Sequence, residues 1–508
     1  MSLSRRVPFA TLMVAGLYLL SGTTDAQPAC PAARASEGSR LAVERRPSNA
    51  LIADATVQLA DAAPVYLEYG NDDVGWLRTP TTMDGTTHQV PIVRLRAETV
   101  YQVRAFALDG IGCPAAVSTA ELTTGPLPDQ LRNYVADQRG QASFPLVMMD
   151  WPSIGPFVPP TANVDKSRYL TAVDQQGHVV WYYLTPPEYP VPAPETSAYP
   201  IIRRANGNLL YIAAYHSVDE ITPDGRVVWR FRSEGGAASR PHHELIEQAD
   251  GRLLYLGAET RPIDDSRNGG PPDVSVVGDT LHVIDRETDA EAEVWNAFET
   301  LDATQRPQQW TGWKIREDVD WTHANAMNIG ARSNVVISMR HLDQVISLSP
   351  GSGTIEWKLG GPDSSFSFPN PADRFWGQHS VVELPNGRIL LFDNGNYRPE
   401  GEFSRVLELE LDFGAMTARK VWEYVPMPEL FSDKVSNVVR LPNGNTVVNF
   451  GWRVAPDEPA LVQEVRADGT VAWEQSMRWR GMRAARYRAY PFTSLGGEVS
   501  VEPTAFEP

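Results

Sequence analysis

Short runs of alternating apolar and polar residues, separated by turns rich in Gly, Asn and Asp, extend along most of the chain. One form occurs four times as an apolar run after an Asn-Gly or Asp-Gly turn: ANGNLLYIA, ADGRLLYLG, PNGRILLFD and PNGNTVVNF. The segment ARSNVVISM takes the same place without its glycine. Such turns between apolar runs are the strongest short signal for β-hairpins. The pattern therefore predicts repeated units of antiparallel strands.

A second motif, an apolar strand ending in tryptophan, alternates with the first. Its members are Trp181, Trp229, Trp295, Trp357, Trp422 and Trp473. Six units of four antiparallel strands predict a six-bladed β-propeller over residues 135–500. The segment RYRAYPF at 486–492 is expected to complete the first blade and close the ring. A sandwich of two sheets is the alternative, but it does not explain the sixfold tryptophan spacing. The tryptophans themselves are expected to pack between neighbouring sheets.

A separate all-β unit is predicted before the propeller, over residues 27–126. VYLEYG, HQVPIVRL and TVYQVRAFALDG alternate in the manner of half-buried strands. The stretch LRAETVYQVRAFA resembles the late strands of immunoglobulin and fibronectin type III sandwiches, including their tyrosine corner. GPLPDQ at 125–130 has the composition of a linker.

Residues 1–26 have the form of a secretory signal peptide. Arg5 and Arg6 precede an apolar run over 9–20, and small and polar residues follow. The two arginines also form part of a twin-arginine signal, so the export route stays open. A periplasmic or secreted protein is expected, and no other stretch is apolar enough to span a bilayer.

Cysteine content and charge narrow the function classes. The two cysteines, Cys30 and Cys113, are predicted to form a disulfide in an oxidising compartment, with two free buried thiols as the alternative. The 508 residues are 42% hydrophobic and carry a formal net charge of -18. That charge would repel phosphate backbones, so nucleic acid and anionic membranes are not expected partners.

Histidines recur at one position of the repeat. Counting eight residues back from each turn glycine reaches Tyr199, His243, His379 and Ser436. In the fourth unit the turn is irregular, and Asn325 takes this place two residues after His323. Arg340 interrupts an apolar run where the second strand of that unit ends. Because first strands line the channel of a propeller, these groups are predicted to meet at one end of it.

Three readings of this set are open. Three histidines can hold zinc, but the stretches supply no matched carboxylate and Arg340 would repel a cation. Imidazoles, an amide and a guanidinium can instead surround a tetrahedral anion, and an imidazole can be a nucleophile. The third reading is structural, with buried histidines satisfied by carbonyl groups. The recurrence favours the anion site, without a metal.

The chain resembles bacterial arylsulfate sulfotransferases in the order of its motifs. The segments that carry the resemblance are PHHELIEQADG, DWTHANAMN, SMRHLDQVISL, GQHSVVELPNG, LLFDNGN and the late YRAY. The resemblance covers about residues 140–495, and the family has a small β domain before its propeller. It implies transfer of a sulfuryl group from a phenolic sulfate ester to a phenol without a nucleotide cofactor.

The resemblance also implies roles for individual residues. His379 would be the nucleophile that becomes a sulfohistidine, and His323 the general acid and base. Arg340, Asn325 and His243 would hold the sulfuryl oxygens. His242 is the alternative to His243, but alternation along the strand sends its side chain to the opposite face. Some family members have a cysteine pair shortly before the nucleophilic histidine, and this chain has none there.

Other functions stay open from the sequence. A quinoprotein dehydrogenase has similar repeats, usually eight, with a quinone and a metal. A non-catalytic interaction scaffold needs no special histidines, and a sulfatase would use water in place of the phenol. The sequence specifies neither the natural donor nor the acceptor, and the N-terminal sandwich could mediate a homodimer.

Overall fold

The computed structural model describes most of the chain after residue 37. The described residues are 30, 38–132, 134–150, 169–185, 198–213, 216–233, 240–315, 317–453, 459–479, 482–483 and 486–506. The predicted signal peptide, residues 1–26, lies outside the described residues. The prediction of an all-β protein is confirmed. Within the described part of the chain the α-helices are two four-residue turns, α1 (Asp129–Arg132) and α2 (Ala297–Thr300).

The N-terminal region contains seven strands. They are β1 (Arg40–Arg45), β2 (Ala53–Gln58), β3 (Val65–Asn71), β4 (Gly75–Arg78), β5 (Thr87–Ile92), β6 (Val100–Leu108) and β7 (Pro114–Thr123). One sheet has the order β1-β2-β5, and the other places β4, β3, β6 and β7 side by side. Side chains of β5 alternate strictly between exposed and buried, as the sequence pattern predicts. The Tyr101 hydroxyl accepts a hydrogen bond from the Arg96 backbone N–H at 2.7 Å, as expected of a tyrosine corner.

The predicted disulfide between Cys30 and Cys113 is confirmed. The two Cα atoms are 5.5 Å apart, and the bond links residues 83 positions apart in sequence. It ties the segment before β1 to the turn between β6 and β7. The disulfide therefore stabilises the N-terminal region and not the sheets that follow it.

Residues 134–492 form a long series of further strands. The first half contains β8 (Tyr134–Gly140), β9 (Leu146–Asp150), β10 (Tyr169–Asp174), β11 (Val179–Leu184), β12 (Ala198–Arg203), β13 (Leu209–Ala213), β14 (Ser217–Ile221), β15 (Val227–Phe231), β16 (His242–Glu247), β17 (Leu253–Ile263), β18 (Val274–Asp285), β19 (Ala290–Asn296), β20 (Lys314–Ile315) and β21 (Asp318–Asp320). The second half contains β22 (Ala324–Ile329), β23 (Val335–Met339), β24 (Gln344–Leu348), β25 (Ile355–Gly360), β26 (His379–Glu383), β27 (Ile389–Asp393), β28 (Arg405–Asp412), β29 (Thr417–Tyr424), β30 (Asn437–Arg440), β31 (Thr446–Phe450), β32 (Ala460–Val465), β33 (Val471–Trp479), β34 (Met482–Arg483) and β35 (Ala489–Phe492).

These strands pair into sheets that follow one another along the chain. Sheet 1 has the order β11-β10-β9-β35, and sheet 2 contains β12 to β15. Sheet 3 contains β16 to β19 with β20 and β21, sheet 4 contains β22 to β25, and sheet 5 contains β26 to β29. Sheet 6 contains β30 to β34 and also β8. The prediction that the C-terminal segment completes the first sheet is confirmed, because β35 pairs with β9.

The first strands of successive sheets contact one another. β12 meets β16, β16 meets β22, β22 meets β26, β26 meets β30, and β30 meets β35. In the repeats with an Asn-Gly or Asp-Gly turn the first hairpin closes on the predicted glycine, and in sheet 4 Ser333, with φ of +63°, takes that place. At Gly387 the backbone has φ of +79°, which only glycine adopts without strain, and its N–H donates to the Leu384 carbonyl at 2.8 Å. The sheets therefore present one strand each to a common interior.

The repeated tryptophans join neighbouring sheets. Trp181 in sheet 1 donates its indole N–H to the Pro223 carbonyl of sheet 2 at 2.7 Å. Trp422 in sheet 5 donates in the same way to the Ala467 carbonyl of sheet 6 at 2.9 Å. Trp181 and Trp473 are fully buried. These contacts are the packing role that the spacing predicts.

The chain returns to its N-terminal region at the end. The last strand, β36 (Val499–Val501), pairs with β4 in the N-terminal sheet. Val499 and Ser500, inside the predicted range 135–500, thus pair with the N-terminal sheet. No helix in the described ranges is both long and apolar enough to cross a membrane.

Candidate functional site

The first strands of sheets 3, 4 and 5 share a local irregularity at the end where the predicted histidines lie. Each of β16, β22 and β26 has a shift in register within its first residues. His243 and His323 have φ values of +55° and +48°, and Ser380, directly after His379, has φ of +54°. A β-bulge of this kind redirects a side chain out of the regular alternation. The bulges therefore turn these imidazoles towards the common interior.

The predicted histidines come together around Tyr487. The ring centres of His243 and His323 are 5.3 Å apart. The Tyr487 ring centre lies 5.7 Å from that of His243 and 6.3 Å from that of His379. His379 is only 2% exposed. The site is thus a buried cluster formed by three neighbouring sheets and the C-terminal segment.

Asn394 determines which nitrogen of His379 carries the hydrogen. The Asn394 amide nitrogen donates to the Ser432 carbonyl at 2.7 Å, so its Oδ1 faces the imidazole. That oxygen lies 2.7 Å from His379 Nδ1, which must therefore be the protonated nitrogen. Nε2 keeps its lone pair and accepts a hydrogen bond of 3.2 Å from the Val435 backbone N–H. The available lone pair of His379 is on Nε2.

The surroundings keep His379 neutral. Burial lowers the pKa of His379 well below its usual range, and the positive charge of Arg340 lowers it further. The hydrogen bond to Asn394 acts in the opposite direction but is a smaller effect. Burial also lowers the pKa of His243 well below its usual range. At neutral pH both rings are therefore neutral imidazoles.

His323 is paired with a carboxylate. Its Nδ1 lies 2.6 Å from Asp320 Oδ2, and about a quarter (26%) of its side chain is exposed. His341 stacks on His323 with ring centres 4.4 Å apart, and its Nδ1 donates to the Asp320 carbonyl oxygen at 2.8 Å. Asp320 therefore orients both rings, and it leaves Nε2 of His323 directed away from the carboxylate.

Arg340 is buried and held on several sides. Its NH1 donates to His341 Nε2 at 2.9 Å, and its NH2 donates to the Asp433 carbonyl at 2.9 Å. The guanidinium lies over the rings of Trp310 and Trp313, at 4.6 and 5.2 Å from their centres. Its Nε is buried without a hydrogen-bond partner in the described structure. This orphaned donor and the neighbouring neutral rings suit an anion.

Asn325 and His242 lie at the margins of the cluster. Asn325 is fully buried, and its amide donates to the Gln378 carbonyl at 2.8 Å, directly before His379. His242 Nδ1 is 2.8 Å from His243 Nδ1, while its Nε2 points to Asp279 at 3.2 Å. Thus His243, and not His242, faces His323 and Tyr487.

Arg488 adds a second cation that the sequence did not indicate. Its NH1 pairs with Glu244 at 2.5 Å, and its NH2 donates to the Asn325 carbonyl at 2.8 Å. Burial lowers the pKa of Arg488, but the Glu244 carboxylate and the Tyr490 and Tyr487 hydroxyls together raise it well above its usual value. Arg488 thus stays charged, and this charge helps to lower the pKa of His379 and His243.

One part of the cluster contains a group of residues that could hold a metal ion. Ligand atoms of Asp320, His323 and His341 lie within 4.8 Å of one another. The sequence argument that no carboxylate matches the histidines is therefore wrong on this point. However, His341 Nδ1 needs its hydrogen to bond the Asp320 carbonyl, and His341 Nε2 accepts from Arg340. A metal ligand needs an unprotonated nitrogen with a free lone pair, so this arrangement does not fit a cation.

Several residues of the site were missed because their signals were local or absent. Asp320 stands three residues before His323 in DWTHAN, and Asn394 follows β27 at the position where Arg340 follows β23. Both could have been found by extending the comparison of repeats. Arg488 and Trp313 lie outside the repeated positions, and no periodic signal marks them.

Comparisons with known proteins support the motif resemblance. The family model described as "Arylsulfotransferase (ASST)" matches residues 132–487, most of the chain. No curated protein matches the sequence of this chain. Among solved structures, a protein from Bacteroides caccae is similar with 11% identity and a TM-score of 0.41, covering 68% of this chain and 98% of its own. A virginiamycin B lyase from Staphylococcus aureus has 9% identity and a TM-score of 0.34, covering 68% and 99%. At these scores the structural likeness carries no functional argument.

Proposed function

The chain belongs to the arylsulfotransferase family, and on that premise we propose that it transfers a sulfuryl group from a phenolic sulfate ester to a phenol through His379. The observation that carries this proposal is the orientation of His379. Asn394 holds Nδ1, the ring is neutral, and the Nε2 lone pair lies within reach of the Arg340 and Arg488 charges. A buried neutral imidazole beside cations is suited to attack an anionic ester.

In the first half-reaction the Nε2 lone pair of His379 forms a bond to sulfur. The sulfur–oxygen bond to the aryl group breaks, and its electron pair stays on the phenolate oxygen. His323, as the imidazolium, donates its Nε2 proton to that oxygen, and the Asp320 carboxylate stabilises the cationic ring before transfer. The hydrogen bond from Val435 to His379 Nε2, at 3.2 Å, must be released as sulfur approaches. The products are a sulfohistidine and a free phenol.

In the second half-reaction the roles of His323 reverse. Its Nε2, now unprotonated, removes the hydroxyl proton of an acceptor phenol, and the acceptor oxygen attacks sulfur. The nitrogen–sulfur bond breaks, and its electron pair returns to His379 Nε2. The sequence is a ping-pong transfer in which neither half needs a nucleotide.

The surrounding donors are assigned to the sulfuryl oxygens. Arg340 offers its unpaired Nε, and Arg488 contributes a second positive charge that acts on His379. His243 faces the same space, and Asn325, whose amide donates to the Gln378 carbonyl, is assigned to the sulfuryl oxygens with it. By analogy with phosphoryl transfer, the transition state is loose, so that positioning and charge stabilisation supply most of the catalysis.

Two exposed aromatic residues are proposed to guide the aryl groups. Trp313 and Tyr397 are 38% and 44% exposed, and the indole N–H donates to the Tyr397 hydroxyl at 3.2 Å. Both rings pack on buried Trp310, which stacks on His341. They extend the ring stack from the cluster to the surface. A phenolic ring can slide along them towards His323.

The architecture that we propose around this site is a six-bladed β-propeller, whose blades are sheets 1 to 6. Contacts between successive first strands and the pairing of β35 with β9 support closure of the ring. We propose an immunoglobulin-like sandwich for the N-terminal sheets, and export to the periplasm or medium, which the disulfide supports. Homodimer formation stays a prediction.

The test is release of p-nitrophenol from p-nitrophenyl sulfate, with and without a second phenol. Wild type, His379→Ala and the control His178→Ala are compared, because His178 is a half-exposed histidine on a turn of sheet 1. We expect release that rises with acceptor, is abolished in His379→Ala and is unchanged in the control. Mixing with donor alone should leave a sulfuryl adduct on the peptide that contains His379.

Other outcomes would assign other functions. Release that ignores the acceptor but still needs His379 would identify a sulfatase. No turnover of any aryl sulfate, with no adduct, would overturn the proposal and favour a scaffold. A cofactor absorbance band in the purified protein would favour a quinoprotein dehydrogenase.

A further inference from the structure

A cavity of about 270 Å³ lies near the site, and its wall includes Asp343, which ends the turn Arg340–Leu342. Its wall is formed by the β19–β20 connection of sheet 3, the β23–β24 turn of sheet 4 and the segment between sheets 4 and 5. The lining residues are Arg306, Pro307, Gln309, Asp343, Gly361, Pro362, Arg374, Phe375 and Trp376. Neither the transfer mechanism nor the family assignment gives this cavity a role.

Arg306 is the unusual residue of the wall. Its side chain is only 1% exposed, and NH2 pairs with the Asp265 carboxylate. The Nε and NH1 atoms are buried and have no hydrogen-bond partner in the described structure. Buried polar groups are normally satisfied, because an unpaired donor costs free energy. Two orphaned donors on one buried guanidinium therefore indicate a ligand that supplies acceptors.

A second guanidinium, that of Arg374, also lines the cavity. Within the described ranges its side chain forms no hydrogen bond or ion pair. The carboxylate in the wall, Asp343, is already engaged, since it accepts from the Gly377 N–H at 2.6 Å and from Gln309 Nε2 at 2.8 Å. Burial raises the pKa of Asp343 to about 6, so the group is still mostly a carboxylate at neutral pH, and these two donors hold its oxygens. The cavity wall thus offers the guanidinium of Arg374 and, on Arg306, the Nε and NH1 donors that the ion pair with Asp265 leaves without a partner.

We propose that this cavity binds the anionic oxygen group of a small molecule, either a carboxylate or a sulfate. Guanidinium groups bind such oxyanions through charge-assisted hydrogen bonds. Phe375 and Trp376 supply aromatic wall, which an aryl carboxylate would cover and an inorganic sulfate would not. The inference concerns binding alone and stands independently of the transfer reaction.

The position of the cavity connects its ligand to the catalytic segments. Asp343 caps the 3₁₀ turn Arg340–Leu342, and its carboxylate holds the Gly377 N–H, two residues before His379. A ligand held by Arg306 and Arg374 would therefore rest against the segments that carry both Arg340 and His379. Its occupancy would brace them without touching the reacting atoms.

The test is calorimetric titration of the full-length protein with sodium benzoate and, separately, with sodium sulfate. Arg374→Met is the main variant because that side chain is exposed and folding should be unaffected. Arg306→Lys keeps a charge for Asp265 but removes donors. Arg419→Met, an arginine 68% exposed on sheet 5, is the matched control. Arg340→Met reports binding in the catalytic cluster instead.

We expect at least one probe to bind, with affinity at least tenfold weaker in Arg374→Met and Arg306→Lys and unchanged within about twofold in Arg419→Met. Benzoate binding without sulfate binding would assign an aromatic carboxylate, and equal affinities would assign the oxyanion alone. Either result supports the site. Binding of neither probe, or binding lost in Arg340→Met but kept in Arg374→Met, would overturn it.

Discussion

Replacing Asn394 by alanine tests whether the tautomer of His379 governs the chemistry. In the folded protein Asn394 Oδ1 accepts from His379 Nδ1 at 2.7 Å, and the amide is fixed by the Ser432 carbonyl. The variant removes this acceptor and leaves a buried N–H unpaired. The hydrogen can then move to Nε2, where it would block the lone pair that attacks sulfur.

The size of the effect follows from the hydrogen bond. Leaving a buried donor unsatisfied costs about 1–3 kcal/mol, and each 1.4 kcal/mol is about tenfold in rate. We therefore expect kcat/KM for p-nitrophenyl sulfate to fall about 5- to 150-fold in Asn394→Ala. Because Asn394 does not contact the aryl groups, the loss should be in the formation of the sulfohistidine and not in the choice of acceptor.

The assay is pre-steady-state release of p-nitrophenol with excess acceptor, which isolates the first half-reaction. Asn445→Ala is the control, since Asn445 bonds Glu464 on sheet 6 at 2.5 Å, remote from the cluster. It should retain the wild-type rate. If Asn394→Ala forms the adduct as fast as wild type, Asn394 does not set the tautomer and the assignment of Nε2 as nucleophile loses its support.

Three further outcomes are expected. In Asp320→Asn, His323 loses the carboxylate that stabilises its cation. Turnover should therefore fall about 100-fold or more for donors with weakly acidic phenols, and less for p-nitrophenyl sulfate. Rates measured across a series of donors test this. Folding lowers the pKa of His379, so this residue takes up a proton at a higher pH in the unfolded chain than in the folded protein. The free energy of unfolding should therefore fall as the pH drops below about 6.5. His379→Gln should reduce that slope by up to about 1.4 kcal/mol per pH unit, as urea unfolding at several pH values would show. Cys113→Ser opens a loop spanning 83 positions and should destabilise the N-terminal region by about 4 kcal/mol in thermal unfolding, with sulfuryl transfer unchanged.

The sheets were predictable because their signals are local. Alternation, turn glycines and the tryptophan strands each lie within about ten residues, and the hairpins they predict are those that form. Closure was also predictable, since β35 carries a recognisable strand pattern next to RYRAY. The extension to β36 was not, because three residues of strand at the chain end carry too little pattern to show which sheet they join.

Only those site residues that recur at one position of the repeat were predictable from the sequence. His243 and His379 share one offset from a turn glycine, so the count alone located them. The ion pair of Arg488 with Glu244 joins residues 244 positions apart, and it forms where the C-terminal segment returns to pair with β9. Trp313 lies in the connection between β19 and β20 and acquires its position from Trp310 and Tyr397. Neither relation leaves a pattern along the chain.

The backbone at the cluster supplies an argument for function that is independent of motifs. His243 and His323 adopt positive φ, a conformation that costs a non-glycine residue about 1–3 kcal/mol. Glycine would remove that cost, and asparagine would reduce it. In a regular strand the alternating side chains would point to the neighbouring sheets, whereas the bulge turns these rings towards His379 and Tyr487. Two imidazoles thus occupy strained positions, beside a third imidazole whose tautomer is fixed by Asn394. This cost in backbone strain is explained if the side chains form a functional site.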